Sequence, residues 1–296
     1  MRKWANLEGL WSEGQGLLDS RRQHLSALSP LPSRPIKFLS YNIQAGLPSG
    51  SYADYVRNGI RQIVPAADRC HLDKIATTIN KYDIVVLQEV DCGSIRSGFV
   101  NQLEYLAKAG GFGFAHQQLN RDIGRFGQFS NGLLSRFTPM SIENHRLPGL
   151  KGRGAIIARF GLPVGQEREG CSCDGEQSVV VVGLHLALGW RAREKQIAYV
   201  LERIAHEENV ILMGDLNCCE ASATETALGE SGLRHVNFGM GTFPSWAPKK
   251  CIDHIWVSSS MEVRTVEVLP ERLSDHLPLS AHVQLPGAPY LPDGRS

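Results

Sequence analysis

One recurring unit constrains this chain more than any other: a short, β-branched apolar run that stops on a single acid, amide or imidazole. Asn42 closes Leu39-Ser40-Tyr41-Asn42-Ile43, and Glu89 closes Ile84-Val85-Val86-Leu87-Gln88-Glu89-Val90. His185 lies in Val182-Gly183-Leu184-His185-Leu186, and Asp215 and Asn217 follow Ile211-Leu212-Met213-Gly214. Asp253-His254 opens another run, and Asp275-His276 stands just before the last. Bounded apolar runs of this length read as buried strands. A plain core strand has no need of the polar residue at its end.

The spacing predicts strands over 36–43, 83–90, 131–137, 154–160, 178–186, 210–213, 253–258, 263–269 and 279–285. Helices are expected over 72–80, over 101–109 with Gly110 as a left-handed cap, and over 192–208, where Ile197, Val200, Leu201 and Ile204 share a face. Ser222-Ala223-Thr224-Glu225 matches a capping box, so a further helix should begin there. Gly161 to Gln177 is polar and glycine-rich and is expected to be a loop insertion. Many strands with few long helices argue for stacked sheets covered by helices rather than one alternating parallel sheet. No internal repeat or low-complexity tract is evident.

Three segments follow: 1–35, 36–286 as the main domain, and a tail over 287–296. In the first, Trp4, Leu7, Leu10, Trp11, Leu17 and Leu18 recur at a loosely helical spacing before Pro30, Pro32 and Pro35. The expectation is an amphipathic helix and an extended linker. Such a stripe packs on its own domain more often than not; the alternative is docking on a partner or a membrane surface.

Charge bounds the partners. The 296 residues carry 31 Lys plus Arg against 30 Asp plus Glu, so no global field gathers polyanions. That weighs against a sequence-independent nucleic-acid coat protein, although a local patch and a bound cation would serve a nuclease at one cleft. Of the seven cysteines, only Cys171-x-Cys173 and Cys218-Cys219 are close pairs. Neither comes with a second pair at zinc-site spacing, so reduced thiols and a cytoplasmic location are expected. No stretch approaches the ~18 apolar residues of a membrane span.

Catalytic groups are commonly set on loops at one edge of a rigid sheet. Carboxylates gathered there repel one another, and a hard divalent cation relieves the repulsion. Oxygen-only donors point to magnesium, with manganese able to substitute. Each of these polar residues is weak evidence alone; the ordered set is specific.

That set resembles the endonuclease/exonuclease/phosphatase superfamily. The matching segments are Ser40-Tyr41-Asn42, Leu87-Gln88-Glu89, Asn131-Gly132-Leu133-Leu134-Ser135-Arg136, Leu184-His185-Leu186, Gly214-Asp215-Leu216-Asn217, Ile252-Asp253-His254-Ile255 and Ser274-Asp275-His276-Leu277-Pro278-Leu279. They come in the family's order over roughly 36 to 285. The resemblance implies an α/β (α+β) four-layer sandwich of two packed mixed sheets flanked by helices, and hydrolysis of phosphate esters by activated water. It implies metal binding by Glu89 with Asn42 beside it and Asp275 contributing. Asp215 and Asn217 would orient the attacking water and hold a phosphate oxygen, or bind a second metal. His276 would face the scissile phosphate, Asp253 would fix its tautomer, and His185 would donate to a phosphate oxygen or the leaving group. Asn131 would be a phosphate-side amide.

The sequence departs from some relatives. Phe126 and Phe129 stand where apurinic endonucleases place a catalytic tyrosine, and the extra segments of inositol-phosphate phosphatases are missing. Lys151-Gly152-Arg153-Gly154 lies where many bacterial relatives carry an acid before the arginine, which leaves Arg153 as a phosphate or structural contact. Arg96, Arg121, Arg125, Trp190, Arg191, Trp246, Lys249 and Lys250 would ring the cleft, with Arg96 suited to phosphate and Trp246 to stacking on a base or meeting a headgroup. A nuclease-like phosphodiesterase is the leading expectation. A hydrolase of a lipid headgroup or small phosphorylated metabolite is the alternative. A non-catalytic scaffold is disfavoured, because every polar position is kept.

Overall fold

In the computed structural model, which describes residues 31–32, 34–47, 69–124, 127–149, 151–162, 178–219 and 223–286, the apolar runs become the centres of two stacked sheets. The expected N-terminal helix, nearly all of the loop insertion after Gly161, Ser222 and the C-terminal tail lie outside those residues. The strands are β1 (Ile36–Asn42), β2 (Ile84–Asp91), β3 (Phe114–Asp122), β4 (Gln128–Ser135), β5 (Ser141–Arg146), β6 (Gly154–Gly161), β7 (Ser178–His185), β8 (Val210–Asp215), β9 (Leu233–His235), β10 (Asp253–Ser258), β11 (Glu262–Val268) and β12 (Leu279–Gln284). The helices are α1 (Arg69–Ile79), α2 (Gln102–Gly110), α3 (Trp190–Ile204) and α4 (Ala223–Glu230). No helix among the described residues is long and apolar enough to cross a membrane.

The sheets run β11-β12-β1-β2-β4-β3 and β5-β6-β7-β8-β10-β9. Each has one parallel pair at its centre, β1–β2 and β7–β8, and every other neighbour is antiparallel. The two halves therefore share one topology although no sequence repeat betrays it. A parallel pair needs a crossover, and α1 and α3 lie in the two crossovers.

Burial explains the continuous apolar runs, because both faces of each central strand are covered. On β2, Ile84 and Val86 point into the core between the sheets with Phe38, Leu133, Phe160, Ile211 and Val257. Val85 and Leu87 point outward under α1 and α2, onto Leu72, Ile75, Leu103 and Leu106. The second sheet repeats this with Val180, Val182 and Leu212 beneath Ile197, Val200 and Leu228. The result is helices, sheet, sheet, helices, as expected. Each such side chain taken from water contributes about 1.5–3 kcal/mol.

Local chemistry sets the ends. The Asn101 side chain accepts from the backbone N–H of Leu103 and Glu104 and starts α2. The left-handed cap of this helix is Gly111 (φ 69°), not Gly110, which is its last residue. The backbone N–H of Gly111 and Phe112 answer carbonyls of the last turn, which moves the stop by one position. Helix α3 starts two residues before the expected Ala192. Strands β3, β5 and β9 were not anticipated from the sequence.

Gly214 shows how tightly the chain is held before the polar strand ends. Its φ is 151°, and a Cβ there would lie 1.9 Å from the carbonyl oxygen of Leu184 on the parallel neighbour. We expect Gly214→Ala to destabilise the protein by about 3 kcal/mol or more, through backbone strain and displacement of β7 from β8. Urea denaturation measures this, and a loss under about 1 kcal/mol would contradict the close approach.

Candidate active site

Parallel pairing decides where the polar strand ends meet. Strands β1 and β2 run in one direction and finish side by side, which puts Asn42 opposite Gln88 and next to Glu89. Strands β7 and β8 do the same in the second sheet, with His185 paired to Asp215. Strand β10 runs the other way, so its first residue, Asp253, pairs with the last of β8. The Asp275-His276 turn precedes β12, the antiparallel neighbour of β1.

Asp215 is the hub. It is 2% exposed and accepts from the Asn42 amide (3.1 Å) and the Asn217 backbone N–H (3.0 Å). His185 Nε2 lies 3.5 Å and His276 Nε2 3.8 Å from its Oδ2. Burial pushes its carboxyl up to about 7, with the nearby His276 charge pulling down and Asp253 pushing up.

The two imidazoles sit in opposite states. Burial works against a charge on His276, but Asp253, then Asp215 and Asp275, outweigh it and raise the ring to about 10. Its Nδ1–H donates to Asp253 Oδ2 at 2.8 Å, an oxygen that also accepts from the Thr242 hydroxyl. Phe243 packs on the ring at 4.9 Å between centroids. Burial, helped by the Arg153 and His276 charges, drives His185 well below its usual value, so the ring is neutral. Its approach to Asp215 is thus dipolar rather than an ion pair. Arg153 Nη1 stands 3.4 Å from His185 Nδ1, and since a guanidinium can only donate, the ring proton belongs on Nε2. With one imidazole held charged and the other neutral, Asp215 is the group of the three poised to exchange a proton near neutrality.

Glu89 is placed by a break in the ladder. The pairing of β2 with β4 shifts between Leu87 and Val90, and Glu89 takes φ 57°. A bulge of this kind turns a side chain out of the pleat. Among the described residues the carboxylate makes no hydrogen bond, yet its charge reaches Arg153 and raises Asp275, whose carboxyl is lifted first by burial. Of the five positive-φ residues other than glycine among the described residues, Gln44, Ala45, Glu89 and Asn217 all lie at or just beyond these strand ends. Such strain, about 1–3 kcal/mol each, persists only where the surroundings impose it.

The remaining expected residues are distributed as follows. Asn42 also accepts from the Gln44 N–H at 3.1 Å. Asn217 donates its amide to the Leu186 carbonyl at 3.0 Å. Asn131 is buried opposite the bulge, donates to the Gly154 carbonyl at 2.9 Å, and leaves its amide oxygen without a partner among the described residues. Trp246 is half-buried in the loop that Ser245 anchors to the Asp275 carbonyl. Arg96 is not a rim cation: it is buried, paired with Asp91 at 3.0 Å, and stacked 4.3 Å over Phe129. Two contributors escaped the sequence reading. Thr242 holds Asp253 across 11 residues of chain, and Ser274 donates to Asp275 at 3.1 Å. The serine stood in a recognised segment; the threonine sits in an irregular loop with no local signal.

Asp91 explains the fate of Arg96. Its carboxylate is 0% exposed and accepts from the Gly93 and Ser94 N–H, the Ser94 and Ser97 hydroxyls, and Arg96. Burial would raise it, but these donors win and hold it below the usual carboxylate range. A lowered folded value means stability that is present above the unfolded pKa and lost as pH falls through the folded one. We expect Asp91→Asn to cost about 3–5 kcal/mol at pH 7, since Arg96 is left buried and uncompensated. The gap to wild type should narrow once the pH drops below about 3.9. Urea midpoints measured from pH 7 to about 2 test both, and a pH-independent gap would refute the assignment.

Comparison with known proteins agrees with this geometry. The endonuclease/exonuclease/phosphatase family model matches residues 39–276. An endonuclease/exonuclease/phosphatase from Beutenbergia cavernae superposes with a TM-score of 0.66 at 20% identity, over 87% of this chain and 73% of that one. A mannosyl-6-phosphatase from Bacteroides thetaiotaomicron gives 0.61 at 19%, over 84% and 99%. The human Nocturnin catalytic domain gives 0.61 at 18%, over 86% and 95%. At these identities the likeness is one of fold. The search of curated proteins finds no match. With a matched span that takes in most of the chain, from within β1 to His276, the chain belongs to the endonuclease/exonuclease/phosphatase family.

Proposed function

We propose that the chain is a magnesium-dependent hydrolase of phosphate esters, nuclease-like in acting on diesters. The observation that carries this reading is the meeting, at one sheet edge, of Glu89 and Asp275 with a buried carboxylate flanked by imidazoles in opposite protonation states.

The donors suit a hard cation. The Glu89 charge raises the cost of ionising Asp275, both side chains offer oxygen only, and the Asn42 amide lies beside them. When bound there, magnesium supplies Lewis-acid neutralisation of phosphoryl oxygens. The protein's own groups do the rest. Asp215, lifted to about 7, takes a proton from the attacking water near neutral pH. Asn217 steadies the loop beyond it and contacts a phosphate oxygen. Asp253 and Thr242 fix His276 so that Nε2 faces the phosphoryl group as a cation. His185 presents Nε2–H to a phosphate oxygen or the leaving group, with Arg153 behind it and near enough to contact phosphate. Asn131 and Trp246 are assigned to the substrate side.

A second reading has one observation behind it. With Arg96 committed to Asp91, a cation suited to a long polyanion is withdrawn from the rim. That favours a small phosphorylated metabolite or lipid headgroup, and relatives of this fold include a protein named as a mannosyl-6-phosphatase.

We expect bis-p-nitrophenyl phosphate to be cleaved with magnesium and not after chelation. Glu89→Gln and His276→Ala should each lower turnover by ~10²-fold or more with the fold intact by circular dichroism. Near-normal turnover in either variant sinks the assignment. A preference for p-nitrophenyl phosphate over the diester moves the conclusion to the phosphatase reading.

A further inference from the structure

On the outer face of the second sheet, away from the cleft, His235, Cys251 and His254 converge. Their ligand atoms all lie within 4.8 Å of one another. The alternation of β10 explains the separation: Ile255 and Val257 face the inter-sheet core, whereas Trp256 packs outward, and His254 shares its side. His254 is therefore next to Asp253 in sequence and on the other side of the strand.

The surroundings are those of a soft-metal site. His254 Nε2 lies 2.9 Å from the Cys218 carbonyl oxygen, which fixes the proton on Nε2 and turns Nδ1 towards His235 Nε2, 3.0 Å away. A ring N–H donated to a backbone carbonyl is the usual way a ligating histidine is oriented. The Asn237 amide donates to Cys251 Sγ at 3.3 Å and to the Asp253 carbonyl at 3.0 Å, and Sγ itself lies 3.7 Å from the Asn237 carbonyl oxygen. Cys251 and His254 are buried while His235 is half-buried, stacked on Trp256 with centroids 4.8 Å apart. Around a tetrahedral zinc ion with bonds of about 2.0–2.3 Å, ligand atoms sit roughly 3.3–3.7 Å apart. The histidine nitrogens, 3.0 Å apart, are already near that spacing, and all three ligand atoms lie within 4.8 Å of one another.

We propose that His235, Cys251 and His254 bind one zinc ion, with a fourth position open to solvent. Two imidazoles and a thiolate select zinc over the magnesium that an all-oxygen site prefers. The three ligands come from edge strand β9, from the return of the loop over 236–252, and from β10. That loop carries Thr242, which holds Asp253, and Phe243, which packs on His276. Zinc here is a clasp on the base of the loop. The sequence did not reveal it, because the ligands follow no paired-cysteine spacing.

The test uses the full chain, stripped of metal and then titrated with Zn²⁺ in excess Mg²⁺ against a chromophoric chelator. One equivalent should bind, and Co²⁺ in its place should give a thiolate-to-cobalt charge-transfer band in the near ultraviolet. The cleft donors are oxygen and nitrogen, so the band separates this site from the catalytic one. Cys251→Ser should abolish the band and weaken Zn²⁺ binding by on the order of 10²-fold. His235→Ala, at a half-exposed position, should stay folded and weaken binding at least about tenfold. The proposal fails if Zn²⁺ binds equally well to His235→Ala, if cobalt gives no thiolate band, or if the band survives in Cys251→Ser.

Discussion

A carboxylate with 2% of its surface exposed cannot keep its charge without help, and the polar edge of this molecule is arranged around giving Asp215 that help. Asn42 reaches it from the first sheet, Asn217 from the next turn of its own chain, and the imidazoles of His185 and His276 from both sides. None of these contacts is possible unless the two sheets end at the same level. The hub therefore depends on two parallel pairings, β1 with β2 and β7 with β8, each secured by a covering helix. Loss of either register would leave a buried charge with fewer partners, which is costly enough to couple the site to the fold.

The central strands were legible in the sequence because both of their faces are buried, which writes a continuous apolar run into the chain. Three of the edge strands, β3, β5 and β9, were not, although β11 was, with its Val263, Val266 and Val268 packed against the core. In β3 and β5 most residues are exposed or half-exposed, with burial patterns that carry no long apolar stretch, and β9 has three residues. Each lies at a sheet edge, where one flank has no neighbour to bury it. The polar strand ends were legible for the opposite reason, since nothing in core packing calls for them. Arg96 shows the limit of that argument. A basic residue a few positions after a metal-binding acid reads as a phosphate contact. Whether it points outward depends on Asp91, Ser94 and Ser97, whose hydrogen bonds fold the loop inward.

Strain and electrostatics meet at the same few residues. Glu89 and Asn217 hold left-handed backbone angles that cost free energy in a chain without compensation. The bulge that strains Glu89 is also what keeps its carboxylate free of hydrogen bonds among the described residues, and so available to a cation. Asn217 accepts the same cost in order to donate its backbone N–H to Asp215 and its amide to Leu186. Stability forgone in the backbone is offset by the three buried clusters beneath, one between the sheets and one on each outer face.

Strand β10 carries this logic furthest. A strand sends successive side chains to opposite faces, so Asp253 and His254 serve different surroundings although they are adjacent. Asp253 is held by Thr242 and His276, and its backbone carbonyl by Asn237. Asn237 in turn touches Cys251, and its amide oxygen accepts the Ile255 N–H at 2.9 Å. The position of the His276 partner is thus set from the far side of the sheet as well as from the cleft. One asparagine and one strand link Cys251 and His254 on the outer face to the carboxylate that fixes the imidazole, without any group on that face entering the cleft.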